Sequence, residues 1–453
     1  MPQASSSLST FLAPLSRWNK PARRGAVVLA IVVTAAYAIV GARYFGSIFS
    51  MSDVGWYLRM AAGDSHSVMQ PFASRQLGPA VVRVLARLLH WPVQSAFLLQ
   101  GVVSLIVVLA TVYALIVRSA APRWVLVAVA LVPFWPQLFV GLVLPDLWYA
   151  AMVSIFLLLL WRKHFLIAAC MMFPLMVSRE STSLLLVCLL IAGWRPLRWP
   201  GRLLALGTAL AGTLLVQHLT AHNPGNFERL PESVYILSKV PWNFLRNILG
   251  IVPWSNVNTF MCPVPIWQHS LHLGSIHAVG VCGFSISQPA AVLDAALTTF
   301  GLLPLLGAFL WWRTRSHKGR SVFLRFCLLY GGISLLLAPM LGAWASRLFG
   351  YGWPFCLIAV PLLFNDLGEL YGEALASKRA VAGLGFLGLH LVACRLDFEN
   401  LDLPMIAFIL GLYLAGFGLL RWWLGPPVRD VGNRFQSNPR NPQNDPPRMV
   451  KSS

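Results

Sequence analysis

Apolar runs recur along the whole chain and are separated by short polar intervals rich in Arg and Lys. Crossing about 30 Å of hydrocarbon takes roughly 20 apolar residues in a helix, and backbone groups in lipid must be hydrogen-bonded within the segment, which favours helices. The pattern therefore predicts an all-α polytopic membrane protein with about twelve transmembrane helices. The predicted spans lie near residues 25–47, 93–117, 124–142, 146–161, 165–178, 180–194, 202–219, 290–312, 321–343, 349–364, 380–395 and 404–424.

The composition agrees with a membrane protein and argues against a soluble one. The 453-residue chain is 57% hydrophobic and 11% charged, with a mean hydropathy of +0.68, whereas soluble domains carry about 25% charged residues. A net charge of +20 would suggest nucleic-acid binding in a soluble protein, but here the Lys and Arg residues cluster in short loops between spans. We therefore expect contacts with membrane lipids and none with nucleic acid.

The basic clusters orient the predicted spans. The basic segment 1–24 precedes a first apolar run without a clear small-residue cleavage site, which we interpret as a retained helix and not a signal peptide. With the amino terminus in the cytoplasm, all short, strongly basic clusters fall on that side if residues 165–194 form two short spans that meet at Ser178, Arg179 and Glu180. The prediction is a bacterial inner-membrane protein with a transmembrane domain 25–424 and a disordered, basic cytoplasmic tail 425–453.

Two intervals on the predicted outer face are long. The first, 48–92, contains a segment from Gln76 to Leu89 whose apolar residues have helical spacing, which favours an amphipathic helix lying in the membrane interface. The second, 220–289, is rich in Pro, Asn and Trp and is predicted to be an ordered cap. It contains Cys262 and Cys282, for which we hypothesise a disulfide in an oxidising periplasm.

The outer face also collects rare charged residues in a chain with only 15 acidic ones. Each has a structural interpretation as well as a functional one: Asp53 and Asp146 are placed to favour helix amino termini, and Arg347 is placed to reach lipid headgroups. His269, His272 and His277 lack an acidic or Cys partner at a diagnostic interval, which argues against zinc. Because several of these rare charged residues fall on the same predicted outer face, we favour the functional interpretation over the structural one. The candidate site residues are Asp53, Tyr57, Arg75, Asp146, Arg179, Glu180 and Arg347.

Three features resemble the glycosyltransferase-C superfamily of polytopic membrane enzymes. They are the acid after the first span in Ser52-Asp53-Val54-Gly55-Trp56-Tyr57, the stretch from Pro71 to Pro79, and Asp146 in the second outer loop. The resemblance covers mainly residues 1–220 and implies a helical bundle that transfers a sugar from a polyprenyl-phosphate carrier, with inversion, to a lipid, glycan or protein acceptor. It gives Asp53 the role of a base or an acceptor-orienting group and makes Asp146, the second-loop acid, the other catalytic candidate. The candidates for substrate binding are then Tyr57, Arg75, Arg179, Glu180 and Arg347. The first loop lacks the Asp-x-Asp or Glu-x-Asp pair, so a divalent cation stays an open expectation.

The chemistry of sugar transfer is compatible with this set of residues. A carboxylate is needed near the attacking hydroxyl or amine, and cations are needed to stabilise the departing lipid phosphate. Asp53 meets the first need, and Arg75, Arg179 and Arg347 meet the second because guanidinium groups suit phosphate geometry. Two alternatives stay open: a transporter or flippase of a lipid-linked glycan, whose charges would line a translocation route, and a membrane acyl- or phosphotransferase.

Overall fold

A computed structural model describes residues 52–117, 119–225, 232–257, 262–317, 319–342, 345–371, 380–396 and 401–424, together with the helical positions 28, 31, 32 and 35. The amino-terminal segment 1–24, most of the predicted first span 25–47 and the tail 425–453 lie outside the described residues. In chain order the helices are α1 Ser52–Ala62, α2 Leu77–Leu89, α3 Val93–Ile116, α4 Arg123–Ala130, α5 Phe134–Val140, α6 Pro145–Trp161, α7 Phe165–Cys170, α8 Met172–Ser178, α9 Thr182–Ala192, α10 Arg198–Thr220, α11 Glu232–Asn247, α12 Ser287–Phe300, α13 Leu303–Thr314, α14 Val322–Leu341, α15 Ala345–Phe349, α16 Val360–Tyr371, α17 Ala380–Ala393 and α18 Leu403–Leu424.

The described chain is mostly helical and has the apolar helices of a multi-pass membrane protein. Among the described residues, five helical segments are long and apolar enough to cross a membrane, with α4 and α5 counted together, or up to seven if each of two bent helix pairs counts as one span. Four shorter apolar segments of the described chain accompany them, with α7 and α8 counted together. Helices thus occur at the predicted positions from α3 onward, while the predicted number of about twelve spans is not confirmed by their lengths.

The structure has a break in the helices at Arg179, the position at which the distribution of basic clusters predicts one. Helix α8 ends at Ser178, Arg179 adopts an extended conformation with φ −167° and ψ 139°, and α9 begins at Thr182. The predicted break in 165–194 is present, with α7 and α8 before it and α9 after it, while the assignment of these segments as two short membrane spans stays a prediction. As a result, Arg179 and Glu180 occupy the break itself and not a helix surface.

The predicted span 290–312 corresponds to two helices with a sharp bend between them, and whether they cross the membrane as one span stays a prediction. Helices α12 and α13 bend by 88° at this point, around Gly301, which has φ +56°. A Cβ at Gly301 would lie 2.6 Å from the ring of His390 and 2.7 Å from Cys394 Sγ, so the close approach of α17 requires glycine here. His390 holds the corner, because its Nδ1 accepts from the backbone amide of Leu302 at 3.1 Å and its Nε2 lies 3.1 Å from the carbonyl of Ala128.

The described residues of the long interval 220–289 form regular elements, and these include strands as well as helices. After α11 it forms an antiparallel sheet of three strands in the order β1-β3-β2. The strands are β1 Ile251–Ser255, β2 Trp267–Leu273 and β3 Ile276–Phe284. Cys262 and Cys282 form a disulfide with a Cα–Cα distance of 6.0 Å, which confirms the hypothesised pairing.

Helix α11 is anchored to the carboxyl end of α14. Asn247 Nδ2 donates to the carbonyl of Pro339 at 2.7 Å, and Asn243 Nδ2 donates to that of Met340 at 3.3 Å. Carbonyls in the last turn of a helix have no partner within the helix, so these two amides, one turn apart on α11, supply the missing donors. This contact fixes the cap next to the segment that leads into α15.

The predicted amphipathic helix is α2. Gly78, Pro79, Val82 and Ala86 are buried, whereas Val84 and Leu88 are 54% and 71% exposed. Large apolar side chains on the exposed face suit a helix that lies against lipid. Its position in the membrane interface stays a prediction.

Candidate functional site

The candidate residues come from five separate parts of the chain. Asp53 and Tyr57 lie one turn apart at the start of α1, and Asp146 is in the first turn of α6 after Pro145. Arg179 and Glu180 occupy the break between α8 and α9. Arg75 follows a short 3₁₀ turn, Phe72–Ser74, and Arg347 is on α15. The structure brings all seven predicted residues into two adjoining ion-paired groups.

Asp146 is the centre of the first group. Its Oδ1 accepts from Arg179 NH1 at 2.5 Å and its Oδ2 from Arg347 Nε at 2.7 Å. The hydroxyl of Tyr351 also donates to Oδ1. The carboxylate therefore accepts hydrogen bonds from three side chains in distant parts of the sequence. This is more than the helix-capping role that its position in the sequence predicts.

Arg347 joins Asp146 to Asp53. While its Nε and NH2 face Asp146, its NH1 donates to Asp53 Oδ2 at 3.1 Å. The contact with Asp53 is the longest of these ion pairs, and the Asp53 side chain is 20% exposed against 14% for Asp146. Asp53 is thus the more accessible and the less constrained of the two carboxylates.

The second group is built on Arg75. Its NH2 and Nε donate to Glu180 at 2.7 and 3.3 Å, and its NH1 donates to the hydroxyl of Tyr57 at 2.8 Å. Glu180 lies in the break outside both neighbouring helices. Burial raises the pKa of Glu180, but the guanidinium groups of Arg75 and Arg179 outweigh burial and lower this pKa to about 2. Glu180 is consequently ionised at any physiological pH.

The two groups together contain three carboxylates and three guanidinium groups. A charge in a low-dielectric surrounding is tolerated when it is paired and hydrogen-bonded. Arg75 and Arg179 are only 7% and 5% exposed, and their carboxylate partners account for their burial. Two guanidinium nitrogens, Arg179 Nε and Arg347 NH2, are nevertheless buried without a hydrogen-bond partner, although Arg347 NH2 lies 2.6 Å from Asp146 Oδ2.

A cavity of about 360 Å³ adjoins the first group. Asp146 and Arg347 line one wall, and apolar residues of α5 and the following turn, including Phe134, Leu138 and Leu144, line much of the rest. The exposed residues Pro136, Gln137 and Val140 form its outer edge. Asp53 is not among the lining residues, but it is paired with Arg347, which is. The space suits the charged end of a molecule that also carries an apolar part.

Sequence reasoning missed Tyr351. Its hydroxyl contacts Asp146, and Arg179 CZ lies 4.5 Å from the centre of its ring. Tyr351 follows Arg347 by four residues, the spacing that puts two side chains on one face of a helix. This spacing from the candidate Arg347 is the sequence feature that could have identified Tyr351 as a site residue.

The described part of the chain has no cluster of side chains suited to bind a metal ion. Those residues contain no group of three or more His, Cys, Asp and Glu side chains that could hold a metal ion. His272 and His277 lie in the cap, with ring centres 5.9 Å apart. The structure does not bring them to the ion-paired groups around Asp146 and Arg75.

Comparison of the chain with family models, curated proteins and solved structures finds no match.

Proposed function

We propose that the chain is an integral membrane glycosyltransferase that moves a sugar from a polyprenyl-phosphate carrier to an acceptor at the outer face of a bacterial inner membrane. The observation that carries this proposal is the position of Asp146 and Arg347 in the wall of a largely apolar cavity, with Arg179 paired to Asp146 and Asp53 paired to Arg347 behind them. A lipid-linked phosphate has an apolar chain and an anionic head. The cavity and its charged wall offer a surface for each part.

In this proposal Asp146 is a positioning residue. Its carboxylate already accepts from two guanidinium groups and a phenol, and a carboxylate engaged in this way is a poor proton acceptor. Its contribution is to hold Arg179 and Arg347 in place before the substrate arrives. Preorganised cations of this kind stabilise charge that develops on a leaving group.

Asp53 is the proposed general base. A donor phosphate that enters the cavity competes for Arg347 and weakens the 3.1 Å contact between Arg347 and Asp53. The acceptor hydroxyl then attacks C1 of the sugar, its proton passes to Asp53, and the bond between C1 and the phosphate oxygen breaks. The electron pair of that bond leaves with the polyprenyl phosphate, whose charge faces Arg347.

The oxidising side of the membrane accords with the Cys262–Cys282 disulfide, because stable disulfides form outside the reducing cytosol. Arg179 and Glu180 precede that loop in the chain and lie on the same predicted side. This supports placing the proposed reaction at the outer face, with both termini in the cytoplasm.

The test is a transfer assay on the full chain in lipid nanodiscs, with radiolabelled polyprenyl-phosphate sugars and an extract of envelope glycans and lipids as acceptors. We expect Asp53→Asn to lower transfer at least 100-fold, which is the scale of one general base. Asp64→Asn is the matched control, since Asp64 lies in the same loop but is exposed and bonded to Ser67.

Two results would count against the proposal. Full activity of Asp53→Asn would remove Asp53 from catalysis. Movement of the intact labelled carrier across the bilayer without transfer of its sugar would favour the flippase alternative.

A further inference from the structure

The cap contains a second cavity, separate from the one beside Asp146. It lies between helix α11 and the sheet and has a volume of about 420 Å³. Trp242, Ser255, Ile276 and Val279 contribute to its walls, and Gly342 at the end of α14 forms one edge. This volume falls in the range of about 300 to 1,000 Å³ that small-molecule sites occupy.

Two cations from one face of α11 line this cavity. Lys239 and Arg246 are seven residues apart, which corresponds to two helical turns or roughly 10 Å, and both are among the lining residues. The described residues around the cavity include no Asp or Glu. Among the described lining residues, the charge of these two cations is therefore not balanced by a carboxylate.

Neutral groups position both cations. Lys239 Nζ donates to the hydroxyl of Tyr235 and lies 3.9 Å from the centre of that ring. Arg246 Nε donates to Gln288 Oε1 at 2.8 Å, and burial lowers the pKa of Arg246. Arg75, Arg179 and Arg347 each face a carboxylate instead. A partly desolvated cation held by neutral partners gains most from an added anion.

The remaining walls combine an indole, polar side chains and apolar side chains. Trp242 is half-buried and presents an aromatic surface, while Asn243 and Ser255 are buried polar residues. Aromatic rings pack against sugar rings and acyl chains, and the polar side chains can form hydrogen bonds with the hydroxyl groups of a ligand. A ligand with a phosphate and a sugar or glycerol part would use each of these features.

We propose that the cavity between α11 and the sheet is a second binding site, for a phosphate-bearing molecule whose anionic group contacts Lys239 and Arg246. The phosphate belongs either to a phospholipid headgroup or to a phosphorylated glycan. Gly342 lies five residues before Arg347, so the site is close in sequence to the first ion-paired group. The inference does not rest on the transfer reaction, because it concerns different side chains and a different cavity.

The experiment measures binding by isothermal titration calorimetry to the full chain in a neutral detergent. The probes are short-chain phosphatidylglycerol, a hexose 1-phosphate, inorganic phosphate and the neutral hexose. The test variant is Lys239→Gln/Arg246→Gln. The matched control is Arg59→Gln/Arg87→Gln, which removes the same charge at two exposed positions. The charge-retaining Lys239→Arg/Arg246→Lys variant guards against loss of binding through altered folding.

We expect at least one organic phosphate to bind the unaltered chain, with affinity at least 10-fold lower in Lys239→Gln/Arg246→Gln and within about threefold in the other two variants. Tighter binding of phosphatidylglycerol identifies a lipid headgroup as the source, and tighter binding of hexose phosphate identifies a soluble glycan. Absence of binding by every phosphate probe overturns the inference. So does an equal loss in the matched control, or, where phosphatidylglycerol does not bind, equal affinity for hexose phosphate and the neutral hexose.

Discussion

Replacing Asp146 with Asn tests whether this carboxylate holds the first ion-paired group together. Asn keeps the size of the side chain but removes the charge that faces Arg179 at 2.5 Å and Arg347 at 2.6 Å. Arg179 then has no carboxylate within the first group, and Arg347 has only Asp53. The side chains of Asp146 and Arg179 are 14% and 6% exposed, so water replaces the lost partner poorly.

The expected loss of stability is large for a single isosteric change. Removing one partner of a buried ion pair costs about 3 to 5 kcal/mol, because the other charge stays buried and unpaired. Asp53→Asn breaks one 3.1 Å contact at a side chain that is 20% exposed, and a partly exposed pair contributes only about 1 kcal/mol or less. The two Asp to Asn changes therefore differ by at least about 2 kcal/mol.

The assay is the free energy of unfolding of the purified chain in mixed micelles, followed by a tryptophan signal as a denaturing detergent is titrated. A double-mutant cycle with Arg179→Gln isolates the pair, and we expect Arg179→Gln to cost less in the Asp146→Asn background than alone. Equal stability of the Asp53→Asn and Asp146→Asn variants would refute the assignment of Asp146 as the structural centre. Additive effects in the cycle would refute the coupling.

Three further predictions concern the corner at Gly301, the disulfide and Glu180. Gly301→Ala is expected to lower the free energy of unfolding by about 2 to 4 kcal/mol, because its Cβ would clash with His390 and the backbone has a positive φ. Gly388→Ala is the control: a Cβ there has nothing within 4 Å, so this change should leave the stability unchanged or raise it in the same unfolding assay. Cys262→Ser/Cys282→Ser should lose about 3 kcal/mol, from the entropy of closing a loop with a sequence separation of 20, and reductant should lower the stability of the unaltered chain but not of this variant. The pKa of Glu180 is lowered to about 2 from an ordinary value near 4.3, so its pairing stabilises the fold fully above about pH 4.3, and this contribution is lost as the pH falls through 2. Glu180→Gln should therefore be less stable than the unaltered chain at pH 7, and the difference in stability should be smaller at pH 3. A difference that does not depend on pH would contradict the ion-pair explanation.

Local and compositional features of the sequence determined much of the helical plan. Apolar runs fixed where helices form, because a segment in lipid must satisfy its own backbone groups. The distribution of Arg and Lys predicted the break at Ser178 and Arg179, and the scarcity of acidic residues singled out Asp53 and Asp146. Two cysteines in one interval indicated their pairing.

The tertiary structure alone decided which charges meet. The ion pair between Asp53 and Arg347 joins residues 294 positions apart, and the order in which helices pack is not encoded in their hydrophobic pattern. The bend at Gly301 depends on His390 from a distant helix, and the strands of the cap carry no strong alternation; β2 is exposed along its whole length. Periodicity reports how one segment meets its surroundings, whereas a site made of residues from α1, α6, α15 and the break before α9 exists only once these segments have packed together.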